Sequence, residues 1–148
     1  VYANGQRNAQ PRWIGEWLYF VRGLPLDAST WEIVRLRQGS DEPETMTAND
    51  VRDAWPAPAL PIGIVYSTNG EGESSIVVMS TDGQEMRTLY DGPGFDWGGV
   101  VSDDGRWLAF ASDEEGRDQI YLMPMDGTTP QRLTTGENGA FGVAWLPA

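Results

Sequence analysis

Apolar residues in this chain fall in short adjacent runs: "WLAFA" (107–111), "QIYLM" (119–123), "IGIVYS" (62–67), "SIVVMS" (75–80) and "EIVRL" (32–36). The runs are rich in aromatic and β-branched residues and are bounded by Gly, Asp and Asn, which reads as strands. No segment holds a 3.6-residue apolar stripe through three turns, and 18 Gly and 10 Pro break up any long helix. Strict alternation is also missing. Adjacent apolar positions suit strands buried on both faces, as in sheets stacked on either side by others. The pattern predicts an all-β chain.

The runs repeat. "RWLAFASDEEGRDQIYLMPMDGTTPQRLTTG" (106–136) aligns without a gap to "IGIVYSTNGEGESSIVVMSTDGQEMRTLYDG" (62–92). Phe110 falls on Tyr66, Ser112 on Thr68, Gly116 on Gly72, Met123 on Met79, and Asp126-Gly127 on Asp82-Gly83. A weaker copy occupies 16–47, where Phe20 stands for Phe110 and Met46-Thr47 for Leu133-Thr134. Ile33, Ile76 and Ile120 mark the period, 43 and then 44 residues. That spacing belongs to four-stranded propeller blades, with helical repeats of similar length set aside by the local chemistry. Each unit begins with a further strand that carries a Trp at 13, 55 and 145, with Val101 in that place in the third unit. As repeated aromatics, Trp13, Trp55 and Trp145 are expected in the core.

"SDDGRWLAF" (102–110) poses one chemical question, since Asp103-Asp104 is either a carboxylate pair or part of a hairpin turn. Asp-Gly favours the turn: Gly supplies positive φ, and Asp bonds its own backbone. The other units place Ile14-Gly15-Glu16 and Pro61-Ile62-Gly63 there, replacements a turn accepts more readily than a reaction centre.

Residues 101–134 resemble the TolB-type, WD-like β-propeller repeat. That pattern runs W-S-P-D-G-R/K, an apolar strand ending F-x-S, an acidic Gly-containing loop, I-Y-x-M/V, Asp-Gly and R-L-T. Here "VSDDGRWLAFASDEEGRDQIYLMPMDGTTPQRLT" follows nearly all of it, and "VAWLP" (143–147) starts another copy. Val101 and Asp103 depart from the pattern's Trp and Pro, and in the first unit Gly39-Ser40 replaces Asp-Gly. The resemblance is moderate over 55–92 and degenerate over 12–47. It implies one domain of three four-stranded blades, about 8–50, 51–94 and 95–136, plus an extra C-terminal strand over 138–147. It also implies a periplasmic or extracellular interaction scaffold that presents loops to a partner.

Three blades fall short of the four to eight that usually close a ring. Two blade faces are then expected to lie open, and such patches mark interfaces. The expected partner is the chain itself, through a face-to-face six-bladed ring or through strand addition by residues 140–146. Phe141, Val143 and Trp145 are the candidate interface residues. The other reading is a segment of a longer propeller protein such as a sensor, peptidase or glycosidase, and a start on Val1 fits a processed or excised chain.

Composition narrows the chemistry. A net charge of −12 over 148 residues argues against nucleic acid and anionic membrane surfaces as partners. No run is long enough to cross a bilayer. Without Cys or His there is no disulfide, thiolate zinc site, or Ser-His-Asp or Cys-His catalysis within this chain. The loops between second and third strands are acidic, with Glu71 and Glu73 in one and Asp113, Glu114, Glu115 and Asp118 in the other. They are candidates for a calcium ion or a basic partner, against the plain alternative of solvated loops; "DEEGRD" lacks calcium-loop spacing. Trp31 and Trp97, near loops, are either core or a ligand platform. Two carboxylates would suffice for glycoside hydrolysis, yet nothing in the sequence selects a pair. The expectation is a non-enzymatic module without cofactor or resident metal.

Overall fold

The computed structural model describes residues 6–24, 27–70 and 73–146, with side chains of 24 and 27–29 outside that description. Twelve strands form three sheets, and no helix occurs among the described residues. Blade 1 holds β1 (Arg7–Ile14), β2 (Trp17–Leu24), β3 (Asp27–Arg37) and β4 (Glu44–Thr45). Blade 2 holds β5 (Arg52–Ala59), β6 (Gly63–Gly70), β7 (Glu73–Ser80) and β8 (Met86–Tyr90). Blade 3 holds β9 (Asp96–Val101), β10 (Trp107–Ser112), β11 (Gln119–Pro124) and β12 (Gln131–Arg132). Every sheet is an antiparallel meander in chain order. This is the all-β blade architecture expected from the repeat.

The blades stack face to face, which explains the adjacent apolar runs. On β6, Ile64 and Tyr66 turn toward blade 1, where they join Tyr19, Val21, Trp31 and Ile33. Val65 turns the other way and packs with Val78, Leu108, Phe110 and Met123. Successive strand residues point to opposite faces, so a sheet with two neighbours needs apolar residues at both parities. Each such side chain, fully buried, contributes about 1.5–3 kcal/mol.

Repeat positions keep their hydrogen bonds as well as their packing. Ile33 N–H donates to Thr47 Oγ1 and Ile120 N–H to Thr134 Oγ1, both at 2.9 Å. The two threonine hydroxyls in turn donate to Glu32 and Gln119, one residue before each Ile.

The first strand of every blade carries a bulge that the sequence pattern did not reveal. Ladder register slips between Ala9 and Arg12, between Ala54 and Ala57, and opposite Ala109 and Ala111. At each slip one residue has left-handed backbone: Gln10 (φ 53°), Trp55 (φ 55°) and Gly98 (φ 65°). The extra residue bends the strand and strengthens its local twist.

The ladder pairing corrects the expected tryptophan register. Trp13 lies opposite Leu18, Pro58 opposite Ile64 and Val101 opposite Leu108, so Pro58 takes the Trp13 place in blade 2. Trp55 instead occupies the bulge. Nor are these tryptophans core: Trp13 is 59% exposed, Trp145 is 38% exposed and Trp55 is half-buried. The neighbouring Ile14 fills the seam with blade 2, which turns Trp13 to the opposite face.

The strand expected over 138–147 forms no ladder among its described residues. A blade's first strand takes its ladder from its own second strand, and among the described residues this segment pairs with none. It lies instead against blade 3, where Ala140 N–H donates to Asp118 O (2.7 Å) and Trp145 Nε1–H to Val100 O (3.2 Å). Its backbone still keeps the repeat. Gly142 is left-handed (φ 77°), 44 residues after Gly98, as Gly98 follows Trp55 by 43.

Candidate functional site

The bulged first strands lie side by side, with β5 packed against both β1 and β9. Between them is a shallow cavity of about 170 Å³ lined by Gln10, Arg12, Trp55, Trp97, Gly98 and Val143, among others. All four left-handed positions, Gly142 included, border it. Aromatic rings run along it: Phe95 meets Trp55 edge-on at 6.2 Å, Trp55 meets Trp97 at 5.4 Å, and Trp97 meets Phe141 at 6.0 Å. The cavity is smaller than pockets that enclose a drug-sized ligand, and its apolar walls suit a single inserted side chain.

Of the expected interface residues, Val143 lines this cavity half-buried and Phe141 caps the aromatic row at 69% exposure. Trp145 is tied to blade 3 through its indole N–H.

The acidic loop residues of blade 3 are engaged in ties between elements. Asp113 Oδ1 accepts the Phe95 N–H at 2.7 Å, and Glu114 Oε2 accepts the Tyr90 hydroxyl at 3.0 Å. Glu115 forms an ion pair with Arg132, and Asp118 Oδ1 accepts the Trp97 indole N–H at 3.0 Å. Burial and Glu114 raise the Tyr121 hydroxyl to about 12. Glu71 lies outside the described residues, and Glu73 opens β7, exposed. No three Asp or Glu side chains among the described residues converge as metal ligands would.

Asp104 closes a turn. Its carboxylate accepts from Ser102 Oγ (2.6 Å), Arg106 N–H (3.1 Å) and Arg106 Nε (2.6 Å), and these donors hold it down at about 2. Asp82 does the same with Ser80 Oγ (2.6 Å) and Gln84 N–H (3.1 Å), and Gly83 and Gly105 follow with positive φ. The repeated Asp-Gly is a hinge between strands.

Two buried carboxylates went unnoticed in the sequence. Asp53, second in β5, and Asp96, first in β9, lie opposite Thr68 and Ser112, and both are fully buried. Burial raises both. Asp96 reaches about 6 despite hydrogen bonds from Ser112 and Gly92, with Glu114 and Asp113 pushing the same way. Their spacing of 43 residues, the repeat itself, was the available signal.

No protein-family model matches the chain. Among solved structures, a TolB from Agrobacterium tumefaciens is 24% identical with a TM-score of 0.71, over 84% of this chain and 44% of that one. A chain of a nidogen/laminin complex is 19% identical with a TM-score of 0.73, over 90% and 50%. TolB from Acinetobacter baumannii is 18% identical with a TM-score of 0.71, over 88% and 33%. The fold is therefore a TolB-like β-propeller fold, and the chain spans half or less of these relatives' lengths.

Proposed function

We propose that this chain is a non-enzymatic β-propeller module for protein interaction, completed by self-association and working in the periplasm or outside the cell. The observation that carries this reading is the segment 140–146. Its backbone repeats the left-handed residue of a blade's first strand at Gly142, yet among the described residues it forms no ladder. Large apolar side chains are exposed in the segment, Phe141 and Leu146 (89% exposed), and in blade 3, Trp107 and Leu133. Trp13 is exposed on the face of blade 1 turned away from blade 2. A second copy offering blade 1 to this end would cover both surfaces, and an isologous pair of half-rings closes on itself. The TolB neighbours favour the assigned compartment. The nidogen/laminin neighbour favours a protein-binding role for such a fold.

The test is the mass of the purified chain in solution by light scattering after size exclusion, with and without residues 137–148. A dimer or larger species that becomes a folded monomer on truncation supports the reading. A stable monomer from the intact chain overturns it.

A further inference from the structure

All ten basic residues are arginines, and among the described residues two stand apart from the rest. Arg35, Arg37, Arg106 and Arg132 each meet a carboxylate. Arg12, Arg87 and Arg117 donate to carbonyl oxygens, and Arg22 to Asn8 Oδ1. Arg7 and Arg52 lie on aromatic rings instead. Arg7 Cζ is 5.3 Å from the centre of the Trp31 ring, and Arg52 Cζ is 4.7 Å from it and 5.0 Å from that of Trp55. In a chain with 22 acidic residues, two arginines sharing one indole have no acidic partner among the described residues.

The place is built to hold them. Arg7 lies opposite Gly23 in the ladder, and the Trp31 ring fills the space above Gly23. A Cβ on Gly23 would come within 2.1 Å of Trp31 Cδ1, so only glycine lets the ring sit there. Trp31 is 7% exposed, and its indole N–H is buried without an acceptor among the described residues. The Arg52 Nε–H is likewise buried without an acceptor. Burial lowers the Arg52 pKa and the charge of Arg7 lowers it further, so the fold holds two like charges together with no opposite charge among the described residues. Buried donors nearly always have acceptors, so these two N–H groups call for one that the described residues do not supply.

We propose that Arg7, Trp31 and Arg52 form a binding site for a carboxylate carried by a peptide partner, at the rim where β1 and β5 begin. A planar guanidinium braced on an indole presents its fork to a carboxylate in fixed orientation. The net charge of −12 disfavours a multiply charged phosphate by long-range repulsion and tolerates a single negative charge. The site is whole within one chain, so it stands or falls independently of self-association.

The test follows the arginine Nε–H and tryptophan indole N–H signals by NMR while sodium acetate replaces sodium chloride at constant ionic strength. Saturable shifts at Arg7, Arg52 and Trp31, absent at Arg106, are expected. R52Q and R7Q should each weaken binding about tenfold or more, the loss expected when one charge-assisted hydrogen bond goes. In chloride, R7Q should melt no lower than the parent, because it relieves a like-charge pair; a purely structural arginine would melt lower. Arg7 is exposed at a strand start, so R7Q carries the test even if R52Q fails to fold. Ac-Ala-Glu-Ala-NH2 and Ac-Ala-Ala-Ala-OH then distinguish a side-chain from a C-terminal carboxylate. No saturable shift, shifts unchanged in the variants, or phosphate binding tighter than acetate would each overturn the proposal.

Discussion

Trp55 N–H donates to Gln10 Oε1 at 2.6 Å, so the left-handed residues of neighbouring blades are tied to one another across β1 and β5. Neither is glycine, and a bulky residue in that region is strained by about 1–3 kcal/mol. The bond holds a strained turn of backbone beside the cavity between the first strands. Q10A is expected to lower stability by about 1–2 kcal/mol, because the Trp55 N–H loses its acceptor. Urea unfolding checks it: the midpoint should fall at unchanged slope.

Asp96 sets a pH dependence. Its folded pKa, about 6, lies above the ordinary value of 3.8, so its contribution is fully present below about 4 and is lost as pH rises through 6. Its share of the difference is on the order of 3 kcal/mol for a shift of about two units at a fully buried carboxyl. Stability should therefore rise as pH falls from 7 toward 5, and D96N should flatten that slope. An unchanged slope in D96N would assign the effect elsewhere.

Glycine positions should separate by the room around them. A Cβ on Gly63 would sit 2.1 Å from the Met79 carbonyl oxygen, which is backbone and does not yield, whereas Gly127 (φ 87°) faces open space. G63A should cost more than about 3 kcal/mol and G127A about 1 kcal/mol, the latter from its backbone conformation alone. Thermal unfolding of the two variants checks the order.

Phe141 and Leu146 should matter to assembly and little to the folded chain. Both are exposed, so F141S and L146S are expected to change monomer stability by less than about 0.5 kcal/mol. The double variant should shift the solution mass toward monomer. An assembly untouched by it would move the interface away from this segment.

Legibility in the sequence followed the range of each interaction. Ile33, Ile76 and Ile120 announced the blades because each is buried in its blade's third strand, and Ile33 and Ile120 share the same threonine bond. Asp82 and Asp104 announced turns because their partners lie two residues away. The first strands are misaligned by the tryptophans because the turns that follow differ in length: Trp13, Pro58 and Val101 stand five, six and seven residues before their ladder partners Leu18, Ile64 and Leu108. Trp13 and Trp55, alike as letters, thus stand at different places in the fold.

The amino-acid order by itself determined the all-β class, the three blades with their turns, and the absence of cysteine and histidine chemistry. These rest on local propensity and on a period that recurs along the chain. Only the tertiary structure decided which face each Trp occupies, that Asp53 and Asp96 are buried, and that Arg7 and Arg52 meet on Trp31. Those depend on sheets stacking across more than 40 residues of chain, where burial and charge are set by neighbours that no local pattern encodes.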